Sequence, residues 1–200
     1  MQKYILAAVW VLVASGAQAA TLNVAGGQLL GASGVDMDGS LYGVEFLDGT
    51  EFALYDGSGD MSGFTFQALA AAILASQALL DQVFLDDADG KFDSVPSRTN
   101  GCDVEAFSCN AFSPFGYRPI ANGTGFVETQ LSRNGDSTSF DEGAEPSTNV
   151  EVEPDQSFNS GGTFAAWTPA PEPTTALLLG FGLTGLSWAG RRRIAPDSSV

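Results

Sequence analysis

Twenty-four acidic side chains and no histidine set the chemistry open to this chain. Without histidine the commonest general base and metal ligand is missing, and neither a Ser-His-Asp nor a Cys-His triad can be assembled within the chain. Paired carboxylates are what remains. Asp86, Asp87, Asp89 and Asp93 crowd one short stretch. Two of them at the right separation would suit glycoside hydrolysis, but a solvated loop gives no means of raising the pKa of an acid catalyst. Asp87, Asp89 and Asp93 also alternate around Gly90 in a way that suggests calcium, and Asp36, Asp38 and Gly39 echo the pattern. Neither set matches an EF-hand loop. With Gly90 at its sixth position the first ligand falls on Leu85 and the twelfth on Pro96; with Gly39 there, Glu45 takes the twelfth but Gly34 the first. Turn-forming Asp-Gly chemistry with solubilising charge is the preferred reading, and a calcium site the second.

Gly57-Ser58-Gly59 lacks the Lys-Ser/Thr that would make a P-loop, and Gly26-Gly27 and Gly161-Gly162 are isolated pairs. Cys102 and Cys109 are the only cysteines. Two thiols without histidine make a poor zinc site, so in an exported chain they read as a local disulfide.

The elements that would position these groups follow from the pattern of apolar residues. Residues 21–30 read as a strand bent at Gly26-Gly27, 36–39 as a turn, and 41–47 as the returning strand. Asp48-Gly49 signals a hairpin into 51–55. Residues 64–66 suggest another short strand. From Gln67 the composition shifts to Ala, Leu and Gln, and Leu69, Ile73, Ser76, Leu80 and Phe84 form a stripe that predicts a helix over 67–84 packed on the sheet. Residues 112–120, broken by Pro and Gly, read as irregular or edge strand, and 125–131 as a strand. Residues 132–162 are polar and acidic, as a weakly ordered segment would be, with an edge strand over 149–153. A last strand over 163–167 then leads into a linker over 168–173. The expected fold class is α+β: a small antiparallel β-meander of three or four strands with one packed helix.

The two ends read as addresses. Lys3, an apolar run over 4–13 and Ala17-Gln18-Ala19 make a secretory signal peptide, with cleavage before Ala20 by signal peptidase after passage through the translocon. At the other end stand Pro171-Glu172-Pro173, an apolar run over 174–190, and Arg191, Arg192 and Arg193. As a helix the run would reach roughly 25 Å, enough with snorkelling arginines to be read as a transmembrane span. By the positive-inside rule the arginines would stay cytoplasmic as a membrane stop. The divisions expected are therefore a signal peptide over 1–19, an α+β domain over 20–131, a polar acidic segment over 132–170, and the C-terminal signal over 171–193.

Outside these ends the charge sharpens. Lys3 and the three arginines account for four of the eight basic residues, and Asp197 for one of the 24 acidic ones. The stretch from Ala20 to Glu172 thus holds four basic and 23 acidic residues, net −19. Such a surface offers nucleic acid no basic patch from which to release counterions, so no nucleic-acid partner is expected.

The order Pro171-Glu172-Pro173, apolar span, arginine cluster resembles the PEP-CTERM sorting signal. The resemblance implies recognition by exosortase, a membrane protease-transpeptidase of Gram-negative bacteria that make exopolysaccharide. The run 27–50, with 77–85 and 164–169, is similar to uncharacterised exported members of that group, which carry no activity over to this chain. Together these imply a non-enzymatic protein of the cell surface or extracellular matrix. It would be exported across the inner membrane, anchored transiently by the C-terminal helix, processed by exosortase and associated with exopolysaccharide. A calcium-dependent surface binding module is the alternative, and a secreted carboxylate hydrolase the third reading.

Overall fold

The computed structural model describes residues 19–49, 54, 63–102, 107–119, 125–136, 142–151 and 162–171. Gly26 and Gly27 both take positive φ, at 63° and 84°. Two such residues in succession close a tight hairpin rather than bend one strand. The stretch expected to be a single strand is therefore a pair, β1 (Thr21–Ala25) and β2 (Gln28–Met37). Asp38 and Gly39 repeat the device and return the chain into β3 (Ser40–Leu47), as expected. Of residues 51–55 only Leu54 is described, and it is helical.

The helix α1 (Leu69–Gln82) forms where expected, and of the expected stripe Ser76 and Phe84 are buried and Leu80 packs against the core, but Leu69 and Ile73 are not buried. Ala72, Ala75, Ser76, Ala78 and Leu79 face the sheet, while Leu69 and Ile73 stand 44% exposed and Leu74 50%. The cause is size. Alanine and serine let the helix axis approach the sheet closely, and the bulk of the interface comes from the sheet's own Leu29, Val35, Val44, Phe46 and Trp167. Past the helix, Phe84 stacks on Phe46 with ring centroids 5.4 Å apart.

After a short 3₁₀ turn over Pro96–Arg98 come β4 (Ser108–Pro119), β5 (Gly125–Gly135), β6 (Gly143–Glu151) and β7 (Gly162–Pro169). All seven strands join one sheet in the order β1-β2-β3-β7-β4-β5-β6. Neighbours are antiparallel except β4 and β7, which run parallel. Among the described residues the expected three- or four-stranded meander is thus corrected to a mixed seven-stranded sheet, with α1 on one face. Two sequence features hid the larger sheet. β4 carries Pro114, which a shift of register before Gly116 accommodates within an interior strand. β5 runs across 131/132 to Gly135, and its polar Gln130, Ser132 and Asn134 are buried rather than solvated.

Gln130 Nε2 donates to Glu145 O in β6. Asn134 Nδ2 donates to Phe92 O at 2.6 Å, Ser132 Oγ to Ser76 O at 3.2 Å, and Trp167 Nε1 to Ser113 Oγ at 3.1 Å. The opposite face of the sheet has its own smaller cluster of Phe112, Leu131 and Phe164, against which Leu54 packs.

The expected transmembrane sorting helix is corrected as well. No helix among the described residues is long and apolar enough to cross a membrane, and residues 174–190 lie outside them. The transient anchoring and the membrane partnership built on that helix are corrected with it.

Candidate functional site

The acidic loop after the helix shows what its carboxylates do. Asp86 Oδ1 accepts the backbone N–H groups of Asp93 at 3.1 Å and Ser94 at 3.0 Å, and Asp86 Oδ2 accepts the Ser94 hydroxyl at 2.7 Å. The Ser94 hydroxyl, then its amide, hold the Asp86 carboxyl below the usual carboxylate range. Asp87 Oδ1 accepts the N–H groups of Asp89 at 2.8 Å and Gly90 at 3.2 Å. Fully buried Phe92 pins the loop, and its N–H donates to Leu85 O at 3.3 Å. Asp87 and Asp86 thus turn back onto their own loop, as turn chemistry requires. Asp93 is pushed up by burial and by the charge of Asp86.

The second acidic turn is tied to the helix. Asp36 Oδ1 accepts the Gly39 N–H at 2.7 Å, while the Gln82 carboxamide brackets Asp36, accepting from its N–H at 2.9 Å and donating to its O at 2.8 Å. Among the described residues no group of three His, Cys, Asp or Glu could hold a metal ion. Asp87, Asp89 and Asp93 are therefore not brought together as the calcium reading needs.

Cys102 and Cys109 form the expected disulfide, with Cα atoms 5.7 Å apart. Both are buried, and the bridge ties the turn after the 3₁₀ segment to the first residues of β4. It is a staple of the fold.

The N-terminal cleavage residues meet the fold abruptly. Ala17 lies outside the described residues, Ala19 is exposed and Ala20 is half-buried against the core; β1 starts at Thr21. The C-terminal signal meets it more closely still. The linker expected over 168–173 is in its first half part of the sheet: Thr168 pairs with Gly43 and Pro169 with Tyr42. The Ala170 N–H donates to Leu41 O at 2.8 Å, and Pro171 is exposed. Glu172, Pro173, Arg191, Arg192 and Arg193 lie outside the described residues.

Residues 169–193 match the PEP-CTERM protein-sorting motif. No curated protein and no solved structure matches the chain. The sorting motif therefore begins on Pro169, the last residue of β7, and its next two residues, Ala170 and Pro171, leave the sheet beside the start of β3. Sequence reading set the start of the signal at Pro171. It missed the overlap because Thr168-Pro169-Ala170 has the composition of a linker, and only the partner strand shows that it is held.

Proposed function

We propose that this protein is an exported, non-catalytic component of the cell surface or extracellular matrix, processed at its C-terminus by exosortase and associated with exopolysaccharide. The observation that carries the reading is the PEP-CTERM sorting motif at residues 169–193, continuous with the end of the folded body. Three further features support it. Asp36, Asp86 and Asp87 spend carboxylate oxygens on backbone N–H groups of their own turns, which is structural work. A disulfide is the kind of cross-link that persists in an oxidising compartment. The first strand begins at Thr21, just after the Ala19–Ala20 bond at which a signal peptide would be removed, so the body loses nothing by that cleavage.

The acidic body also suits a hydrated polysaccharide matrix, where strong like charge keeps the protein soluble. Intact mass of the protein from a host with and without exosortase tests the reading. Loss of C-terminal residues only when the enzyme is present is the expected result. An unshortened C-terminus in both hosts would overturn it.

A further inference from the structure

The strand that carries the sorting motif is also the strand that holds the sheet together. β7 lies between β3 and β4, with three strands on either side of it. On one side it pairs antiparallel with β3 from Tyr42↔Pro169 to Leu47↔Phe164; on the other it runs parallel to β4 from Asn110↔Gly162 to Phe112↔Phe164. Among the described residues no other strand joins the β1-β2-β3 half to the β4-β5-β6 half. Its side chains reach both faces. Ala165 and Trp167 belong to the main core under the helix, and Phe164 to the cluster on the opposite face. Phe164 and Ala165 are fully buried, and Trp167 is 4% exposed. Remove this strand and β3 and β4 are left with open edges, and both cores lose central aromatic groups.

This strand is the last part of the body to be made. A chain built from its N-terminus has β1 to β6 available before residues 162–169, and the last of these, Pro169, is the first residue of the sorting motif. We propose that β7 is a closing strand that makes folding of the body conditional on the chain having reached the start of the sorting motif. Until then the two halves have no common sheet. Once β7 seats, the motif departs from a fixed point, with Ala170 bonded to Leu41 and Pro171 clear of the sheet. That the arriving segment is a sorting signal rests on the function proposed above; the closing role of β7 does not.

Hydrogen exchange on the full-length chain tests the proposal without any processing enzyme, so its outcome is separate from that of the sorting reading. In the wild-type protein, β7 amides are expected to exchange through the same opening as those of β2–β3 and β4–β5. Ala165→Pro, which puts a proline in the central strand and leaves the motif intact, is expected to cut protection in both halves by at least about tenfold. Leu22→Pro, in the edge strand β1, is expected to affect only the β1–β2 hairpin. The proposal is overturned if wild-type β7 opens more easily than either half, if Ala165→Pro leaves either half protected, or if Leu22→Pro unfolds both halves equally.

Discussion

Asp86 shows how one acidic side chain can be spent on architecture. Its two oxygens accept three hydrogen bonds from Asp93 and Ser94, so the ionised form is favoured in the folded state. Its contribution to stability is present above the ordinary aspartate range and is lost as pH falls through its lowered value. Glu142 has the opposite sign. Desolvation, then the negative charges of Asp93 and Asp81, push its carboxyl up, so the folded state holds a proton that the unfolded chain releases. Stability therefore falls as pH rises from the ordinary glutamate range through that raised value. Glu142→Gln is expected to raise the melting temperature near neutral pH, with the gain vanishing below the ordinary glutamate range. Asp86→Ala is expected to lower it near neutral pH and to change little in strong acid. Melting curves across the acid-to-neutral range check both; a pH-independent difference for either variant would contradict the assignment.

The helix is the element whose existence was plain in sequence and whose orientation was not. Of the stripe Leu69-Ile73-Ser76-Leu80-Phe84, the last three members reach the core but Leu69 and Ile73 stay exposed, and the helix is seated instead on Ala72, Ala75 and Ala78. Periodicity ranks residues by hydropathy, whereas a helix lying on a sheet rich in aromatic side chains is selected by the room left for it. Enlarging the alanine side should thus hurt more than trimming the leucine side. Ala75→Leu, at a site with no exposure, is expected to cost about 1–3 kcal/mol through overpacking. Ile73→Ala, at a site 44% exposed, is expected to stay within about 0.5 kcal/mol of wild type. Urea denaturation midpoints decide between the two faces. Gly31 in β2 marks another close approach: a Cβ there would collide with the Val44 carbonyl oxygen across the β2–β3 pairing.

For the molecule as a whole, the meeting of sheet and signal restricts where the C-terminus can be cut. A cut before Ala170 would remove its hydrogen bond to Leu41, and one a few residues earlier would remove pairings of the central strand. A cut at or beyond Pro171 leaves every described strand in place. If the C-terminus is processed as proposed above, the mature protein is expected to retain Ala170, which intact mass reads directly. A mature product ending within residues 162–169 yet still folded would show that the last strand is dispensable.

Much was legible in the residues alone. The absence of histidine excluded whole classes of catalysis, the two cysteines announced their bridge, and Pro171-Glu172-Pro173 with the arginine cluster signalled the sorting motif, because each is a statement about residue type or order. β3, the helix and β7 were visible through turn residues and local periodicity, whereas β1 and β2 read as one bent strand. The larger sheet was not. Gln130, Ser132 and Asn134 look like surface residues until their partners are brought in from the helix, from Ser76, and from the loop at Phe92 or strand β6. β7 reads as a terminal strand before a linker, and nothing local says that it will insert between β3 and β4. Strand order is set by pairings between residues more than a hundred positions apart, such as Tyr42 with Pro169. Local pattern carries no information about such pairings, so only the tertiary structure could decide that the last of the described strands is the central one.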